Sequence, residues 1–474
     1  MQALLRALLV IILSGLAYYF SLGFHAAGLL MWFAPIPVLI YVYRAKWLPS
    51  LVVAFMVGLV PGINMMLGYA SSPIPASVLG ISTLAQSIEW TSVVLLSRFF
   101  VVRLQGPFSL LAYPTLLSLV EWVQSFTPQG TFGSIAYSQL HFLPALQIAA
   151  LTGFIGVTFI LSLFAACVAY YLAFYRTALN AKWALILSLM VVILSLAYGF
   201  YRIQKFDQTK PALVNVGLAS YERTTQDIFT PGAADKLLDD YKPLVKLLSQ
   251  QGANIILLPE DTLTATPSNI ADLQKSFAQL ANQYHVRLIA GVNEVQTDHH
   301  FNSAWVFDAK GLFMDAYHKR HFVPELETGR NPGTNLLIMN TPQMRSGIAI
   351  CRDLDYQYPA HAYGQERINL LFVPAWDFVV DAYVHASGAI IRGVENGYTV
   401  VRVAREGLFT VTTPTGAVIV SREVNGSQGS AFLASVPVWN TSSFYAAHSA
   451  GFPIVLWLIV LGLVGLVIRR RKQI

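Results

Sequence analysis

Three residues in this 474-residue chain combine side-chain type and setting in a way suited to covalent chemistry. Cys351, one of only two cysteines, closes the apolar run Gly347-Ile348-Ala349-Ile350-Cys351 and is followed by Arg352 and Asp353. Glu260 comes directly after Leu257-Leu258-Pro259, and Lys319 lies within Tyr317-His318-Lys319-Arg320-His321. A thiol with an ordinary pKa of about 8.5 is mostly protonated at neutral pH, so a nucleophilic cysteine needs a base within reach. Glu260 supplies one. Attack on an acyl carbon builds negative charge on the carbonyl oxygen, which a fixed ammonium such as Lys319 and the backbone N–H after Cys351 would stabilise. Taken singly, each residue has a plainer reading: a small buried thiol, a loop carboxylate, a solvated lysine.

The elements that must hold these groups are written in an alternating pattern. Strands are expected at Ala212 to Ala219, Asn254 to Leu258 and Arg287 to Val292, with helices at Ala233 to Gln250 and Ile270 to Tyr284. A hairpin is expected from Phe301 to Asp308 and Leu312 to Tyr317, turning at Ala309-Lys310-Gly311. Strands at Ser346 to Cys351 and Leu370 to Val373, a helix from Asp381 to Asn396, and closing strands at Thr399 to Ala404 and Leu408 to Thr412 complete the series. Helices alternating with strands predict an α/β layered domain. Glu260, Lys319 and Cys351 each fall where an apolar strand ends, the usual place for reactive groups on a buried sheet.

The rest of the chain is a different material. The whole is 55% hydrophobic and only 12% charged, outside the range of an ordinary globular chain. Residues 1 to 200 contain two acidic side chains, Glu89 and Glu121. Stretches at 3–21, 26–43, 48–68, 79–99, 107–125, 152–175, 182–201 and 450–468 are each long enough to cross about 30 Å of hydrocarbon. Eight spans are therefore expected. Arg6, Arg44, Lys46, Arg98, Arg103, Arg176, Lys182 and the tail Arg469-Arg470-Arg471-Lys472 all fall on one side of such a bundle, and cations are retained in the cytoplasm. This pattern predicts a membrane bundle of seven helices over 1–204, an extracytoplasmic domain over 205–447, and a last transmembrane helix with a basic cytoplasmic tail over 448–474. The net charge of +6 follows from the same bias, so no nucleic-acid partner is expected. Cys167 falls in a span and Cys351 in the outer domain, which argues against a disulfide between them. Neither a metal nor a cofactor is expected.

The order Pro259-Glu260, Lys319, Cys351, then Arg392-Gly393-Val394-Glu395-Asn396-Gly397 resembles the nitrilase superfamily of carbon–nitrogen hydrolases. With seven spans before the domain and one after it, the chain is similar to the apolipoprotein N-acyltransferases within that superfamily. Lys319-Arg320-His321-Phe322-Val323-Pro324 resembles their lysine motif, and Tyr137-Ser138-Gln139, Gln147-Ile148-Ala149 and Gly153-Phe154-Ile155-Gly156-Val157 resemble their segment around the sixth span. The resemblance implies an αββα sandwich beside the membrane helices, in the inner membrane of a bacterium with the catalytic domain on the extracytoplasmic side. It implies that Cys351 takes an acyl group from a phospholipid as a thioester and passes it to the α-amine of a diacylglyceryl-modified lipoprotein. Glu260 would be the general base and acid, and Lys319 the oxyanion stabiliser. Glu327 matches a supporting glutamate. Glu395 with Arg392 reads as an ion pair behind the site, and Trp376 and Phe378 as either acyl-pocket lining or core.

Two stretches depart from that family. Arg352 and Asp353, expected as supporting residues beside Cys351, stand where an aromatic and a glutamate are usual, and Pro374-Ala375-Trp376-Asp377-Phe378 replaces an Asn-Asp-x-Trp-Phe-Gly stretch. Both flank Cys351, so a membrane-tethered amidase or an acyltransferase with another amine acceptor remains open. A non-catalytic lipid-binding module is disfavoured, because binding alone does not require Glu260, Lys319 and Cys351 together.

Overall fold

The computed structural model describes all residues except 26, 176–180, 224, 231, 425–428 and 472–474. Arg176 and Lys472, two of the cations used above for orientation, lie outside the described residues. The chain divides into two compact units, Met1–Asp207 with His448–Ile474, and Gln208–Ala447.

In the first unit every expected span is helical, but not every span is one long helix. Among the described residues six helices are long and apolar enough to cross a membrane: Gln2–Ser21, Trp47–Gly68, Ala76–Leu104, Phe154–Phe174, Ala181–Asp207 and Gly451–Arg470. The other two expected spans are built in pieces, a 3-10 turn Gly28–Trp32 before helix Pro35–Arg44, and a 3-10 turn Pro107–Leu111 before helix Ala112–Gln124. Pro35 and Pro107 open the second piece and the first respectively, where a missing N–H does least harm. The stretch 126–151, between two of the expected spans, contains a 3-10 turn Ile135–Gln139 and short helices Leu143–Leu146 and Ala149–Thr152. Buried Glu121 accepts from the backbone N of Ile135 at 3.0 Å and from Ser134 Oγ at 2.7 Å, fixing that turn.

Cations gather at one end of this unit. Arg44 Nε donates to the carbonyl of Ala173 at 3.1 Å, and Arg98 donates to the carbonyls of Val42 at 2.8 Å and Ala45 at 2.7 Å. Arg470 Nη1 reaches the carbonyl of Arg103 at 3.2 Å. Ala173 and Val42 belong to last turns of helices, where orphan carbonyls favour positive charge.

The second unit has four layers, α-β-β-α. One sheet runs β13 (Ser430–Val438), β1 (Ala212–Ser220), β2 (Ile255–Leu257), β4 (Arg287–Val295), β5 (His300–Phe307), β6 (Phe313–His318), with β3 (Leu263–Ala265) paired to β4. The other runs β12 (Val418–Glu423), β11 (Leu408–Thr412), β10 (Thr399–Arg405), β9 (Leu370–Trp376), β8 (Arg345–Ile348), β7 (Ile338–Asn340). Alternate residues of both sheets, among them Val216, Leu218, Ile289, Val306, Ile348, Phe372, Val401 and Val403, meet in a shared interior. The opposite faces are covered by helices Ala234–Gln250 and Ile270–Tyr284 on one side, and by Ala360–Gln365 and Ala382–Asn396 on the other. This is the sandwich that the resemblance implied. β12 and β13 were not anticipated, since the closing strands were expected to end at Thr412. β12 is an exposed edge with a polar second half, Ser421-Arg422-Glu423, which dilutes its strand pattern.

Candidate active site

Strands β1, β2 and β4 are parallel to one another, as are β8, β9 and β10, and the residues of interest follow their carboxyl ends. Glu260 lies three residues beyond β2. Its backbone N donates to the carbonyl of Ala375 at 3.3 Å, a link from one sheet to the other. Gly291 allows the approach of this loop to β4: a Cβ there would stand 2.1 Å from the carbonyl oxygen of Pro259 and 2.6 Å from Glu260 Cα.

Lys319 directly follows β6 and is 1% exposed. Its Nζ donates to Glu260 Oε1 at 2.7 Å and to Glu327 Oε2 at 2.7 Å. Asn302, on β5, bridges the same two carboxylates through Nδ2, at 2.6 Å from Glu260 Oε1 and 3.0 Å from Glu327 Oε1. Its carbonyl oxygen also accepts the N–H of Lys319 at 2.8 Å. Arg330 closes the cluster, donating to Glu327 Oε1 at 3.1 Å and to Asp261 Oδ2 at 2.7 Å.

The charges set one another. Burial alone would pull the Lys319 ammonium down, but the carboxylates of Glu260 and Glu327 hold it well above its ordinary value. Glu327 is pushed up by burial, yet Lys319 and Arg330 outweigh that and leave it below the usual carboxylate range. Glu260 goes the other way. Its burial, with repulsion from Glu327 and Asp261, outweighs Lys319 and raises it. One carboxylate is thus held ionised and its neighbour is readier to take a proton.

Cys351 stands three residues beyond β8, not at the end of a strand as expected. It opens a 3-10 turn, Cys351–Asp355, with φ of +44°, a left-handed value that a non-glycine residue adopts at a cost. Its Sγ lies 3.5 Å from the carbonyl oxygen of Trp376. Burial first, and the charge of Glu260 second, push the thiol well above its ordinary pKa, with Lys319 opposing. Asp261, Glu325 and Glu406, in the neighbouring loops, also have positive φ.

Asp353, expected as a supporting residue, is fully buried and ties two loops together. Its Oδ2 accepts from the N of Ile350 at 3.0 Å and from the hydroxyl of Tyr317 at 2.7 Å. Its Oδ1 accepts from the N of Arg320 at 3.1 Å and the N of His321 at 3.0 Å. The turn of Cys351 and the loop of Lys319 therefore share one carboxylate. Arg352 points elsewhere, donating to the carbonyl of Phe322 at 3.1 Å.

The aromatic residues differ from each other. The half-buried Trp376 ring lies against the guanidinium of Arg405, and its Nε1 is 3.4 Å from Glu406 Oε2. Half-buried Phe378 begins the next turn, its N donating to Asp381 Oδ1 at 3.0 Å. Between them Asp377 pairs with Arg402 of β10, both buried. Gly407 leaves room for that carboxylate, since a Cβ would come within 2.3 Å of Asp377 Oδ2. Glu395 pairs with Arg392 on helix Ala382–Asn396, both fully buried, and Arg392 Nε donates to the carbonyl of Leu354 at 3.2 Å, behind the Cys351 turn.

Sequence reasoning missed Asn302, Arg330 and the Asp377–Arg402 pair. The signal available for the pair was a charged residue inside an otherwise apolar strand, as with Arg402 in β10.

Residues 14–167 match the family described as apolipoprotein N-acyltransferase N-terminal domain, and residues 218–428 match carbon-nitrogen hydrolase. The chain is 23% identical over 341 residues to an apolipoprotein N-acyltransferase of Geobacter metallireducens, covering 65% of this chain and 64% of that protein. It is 22% identical over 394 residues to apolipoprotein N-acyltransferase 2 of Treponema denticola, covering 73% of this chain and 74% of that one. An omega-amidase of Xenopus laevis is 27% identical over 172 residues, covering 31% of this chain and 60% of that protein.

Proposed function

Since the chain belongs to the apolipoprotein N-acyltransferases of the nitrilase superfamily, we propose that it moves a fatty acyl group from a phospholipid, through a thioester on Cys351, to the N-terminal α-amine of a lipid-modified protein. The observation that carries this reading is the buried Glu260–Lys319–Glu327 cluster in a chain that also provides a set of membrane-length helices. A soluble substrate needs no such helices, whereas a donor and an acceptor anchored by acyl chains must be met in a bilayer.

In the first half-reaction Glu260 accepts the thiol proton as Cys351 Sγ forms a bond to the ester carbonyl carbon. The ammonium of Lys319, with the N–H following Cys351, bears the oxyanion. Collapse breaks the carbon–oxygen bond, and Glu260 returns the proton to the departing lysophospholipid hydroxyl. In the second half the acceptor amine attacks the thioester carbon, Glu260 takes the amine proton, and the thiolate leaves and is reprotonated. Lys319, held charged by two carboxylates, acts as a cation throughout and not as a proton donor. Glu327 supports it. The catalytic domain works on the extracytoplasmic side of a bacterial inner membrane in this reading, following the cation bias.

The test is incubation of purified protein with a phospholipid carrying a labelled acyl chain and a diacylated lipopeptide, with Cys351→Ala alongside. Label should appear on wild-type Cys351 and then on the peptide amine. A thioester that is resolved only by water would favour an amidase, the reading suggested by the omega-amidase likeness of the hydrolase region and by Arg352 and Asp353. Absence of label on Cys351 from any acyl donor would reject both. For sidedness, a reporter inserted at Lys310, in the exposed β5–β6 turn, should read as extracytoplasmic.

A further inference from the structure

Arg405 ends β10, and its side chain is buried to within 1% of complete. The alternation of β10 turns Val401 and Val403 into the sandwich interior, and Arg405 follows them in that register. Its Nη1 donates to the backbone carbonyl of Asp261 at 3.1 Å, next to Glu260. Its Nε and Nη2 have no partner among the described residues.

Among the described residues no carboxylate accepts a hydrogen bond from it. Asp261 gives its oxygens to Arg330, at 2.7 and 3.5 Å. Glu406 faces the indole N–H of Trp376 at 3.4 Å. The nearest cover is the Trp376 ring, whose centroid is 3.3 Å from the guanidinium carbon. Burial draws the guanidinium down to about 10, so it is still a cation at neutral pH. A buried cation with two idle donors is costly unless water or a ligand serves them.

Its position says which ligand. Arg405 and Trp376 are register partners on β10 and β9, and the carbonyl of Trp376 faces Cys351 Sγ at 3.5 Å. Anything esterified to an acyl group that reaches Cys351 therefore brings its remainder close to this pair. Building on the acyl-transfer reading above, we propose that Arg405 is an anion subsite for the phosphodiester of the acyl donor, with the Trp376 ring as its cover. The ring is a removable cover: it is half-buried, and its own hydrogen bond is long. Planar guanidinium donors in a fork match phosphate oxygens, which is the geometry Nε and Nη2 present.

The experiment compares two acyl donors on the full-length protein in nonionic detergent. One is a phospholipid with a labelled acyl chain, and the other a neutral activated ester of the same chain. The ratio of Cys351 labelling rates, phospholipid over ester, should fall at least about tenfold in Arg405→Met and less in Arg405→Lys. An unchanged ratio in both variants overturns the assignment, as does an equal loss on both donors, which marks a purely structural arginine. Should Arg405→Met fail to fold, Arg405→Lys and a competition on wild type decide. Glycerophosphocholine should slow labelling from the phospholipid. No competition, or competition by inorganic phosphate alone at matched ionic strength, overturns the proposal. A wild type labelled by neither donor sinks the acyl-transfer reading together with this one, whereas an unchanged ratio on a labelled enzyme sinks only the role of Arg405.

Discussion

Asp353 Oδ2 and the hydroxyl of Tyr317 meet at 2.7 Å, two residues from Lys319 on one side and two from Cys351 on the other. The same carboxylate accepts backbone N–H groups from Ile350, Arg320 and His321, so the turn of Cys351 and the loop of Lys319 are held by a single side chain. Asparagine in its place would leave at least one of these donors facing an amide NH2. Asp353→Asn is expected to cost about 2–3 kcal/mol, the scale of an unsatisfied buried donor, and to slow Cys351 acylation at least about tenfold. Thermal unfolding in detergent and single-turnover labelling measure the two. A variant that melts with wild type would show that the shared carboxylate is not a structural link.

In the proposed reaction Glu260 must be ionised to accept the thiol proton, and its pKa is raised, by burial first. The acylation rate should therefore fall as pH drops through a value above the ordinary glutamate range. Glu327→Gln removes one of the charges that raise Glu260, so its acid limb should move to lower pH even though the rate maximum is smaller. A limb that moves upward, or stays fixed, would show that another group governs it.

Much of this site could be read from the chain before the fold was known, for a physical reason. Glu260 follows the apolar strand β2, and an apolar run cut off by a charge is visible in one dimension, whereas Lys319 was placed by the hairpin that ends beside it, since β6 itself carries Asp315 and His318. Cys351 was read with its position slightly wrong, because Ala349 and Ile350 are as apolar as strand residues although the pairing of β8 ends at Ile348. Asn302, 42 residues from the carboxylate it touches, carries no such local mark. Its role depends on β4 and β5 pairing in register, which places it opposite Asn293, and on β6 returning Lys319 to its carbonyl. The breaks within two of the spans were likewise invisible to hydropathy, which registers apolar length and not where the backbone changes from a 3-10 turn to an α-helix.

Asn302 supplies the next prediction. Its Nδ2 donates to both Glu260 and Glu327, so Asn302→Ala leaves the two carboxylates without their common neutral donor. Like charges then repel more strongly, and Glu260 should rise further. The variant is expected to lose about tenfold to a hundredfold in acylation rate at neutral pH, with part of the loss recovered at higher pH. Loss without any recovery at higher pH would assign Asn302 to packing alone.

The Arg392–Glu395 pair is fully buried, behind the turn of Cys351. Removing one partner leaves an uncompensated charge, so Glu395→Ala should cost about 3–5 kcal/mol. Arg392→Met with Glu395→Leu should be less damaging than either single change, apart from the bond from Arg392 Nε to the carbonyl of Leu354. Additive losses in a double-mutant cycle of thermal stability would rule out a coupled pair.

His385 offers a test of the electrostatics away from Cys351. Its Nε2 lies 2.9 Å from Asp381 Oδ2, and although burial acts against the imidazolium, Asp381 together with Asp355 and Asp377 raises it from 6.5 to about 9. A raised folded-state pKa contributes stability that is complete below the unfolded value and is lost as pH climbs through the folded one. The window is therefore from about 6.5 to about 9, with a contribution on the order of 3 kcal/mol at its acid end. Wild type should lose thermal stability across that window, and His385→Gln should lose much less, starting from a lower value. Other titrating groups are common to both proteins and cancel in the difference between the two curves. Parallel curves would mean that His385 is neutral in the folded protein and that Asp381 is not its partner.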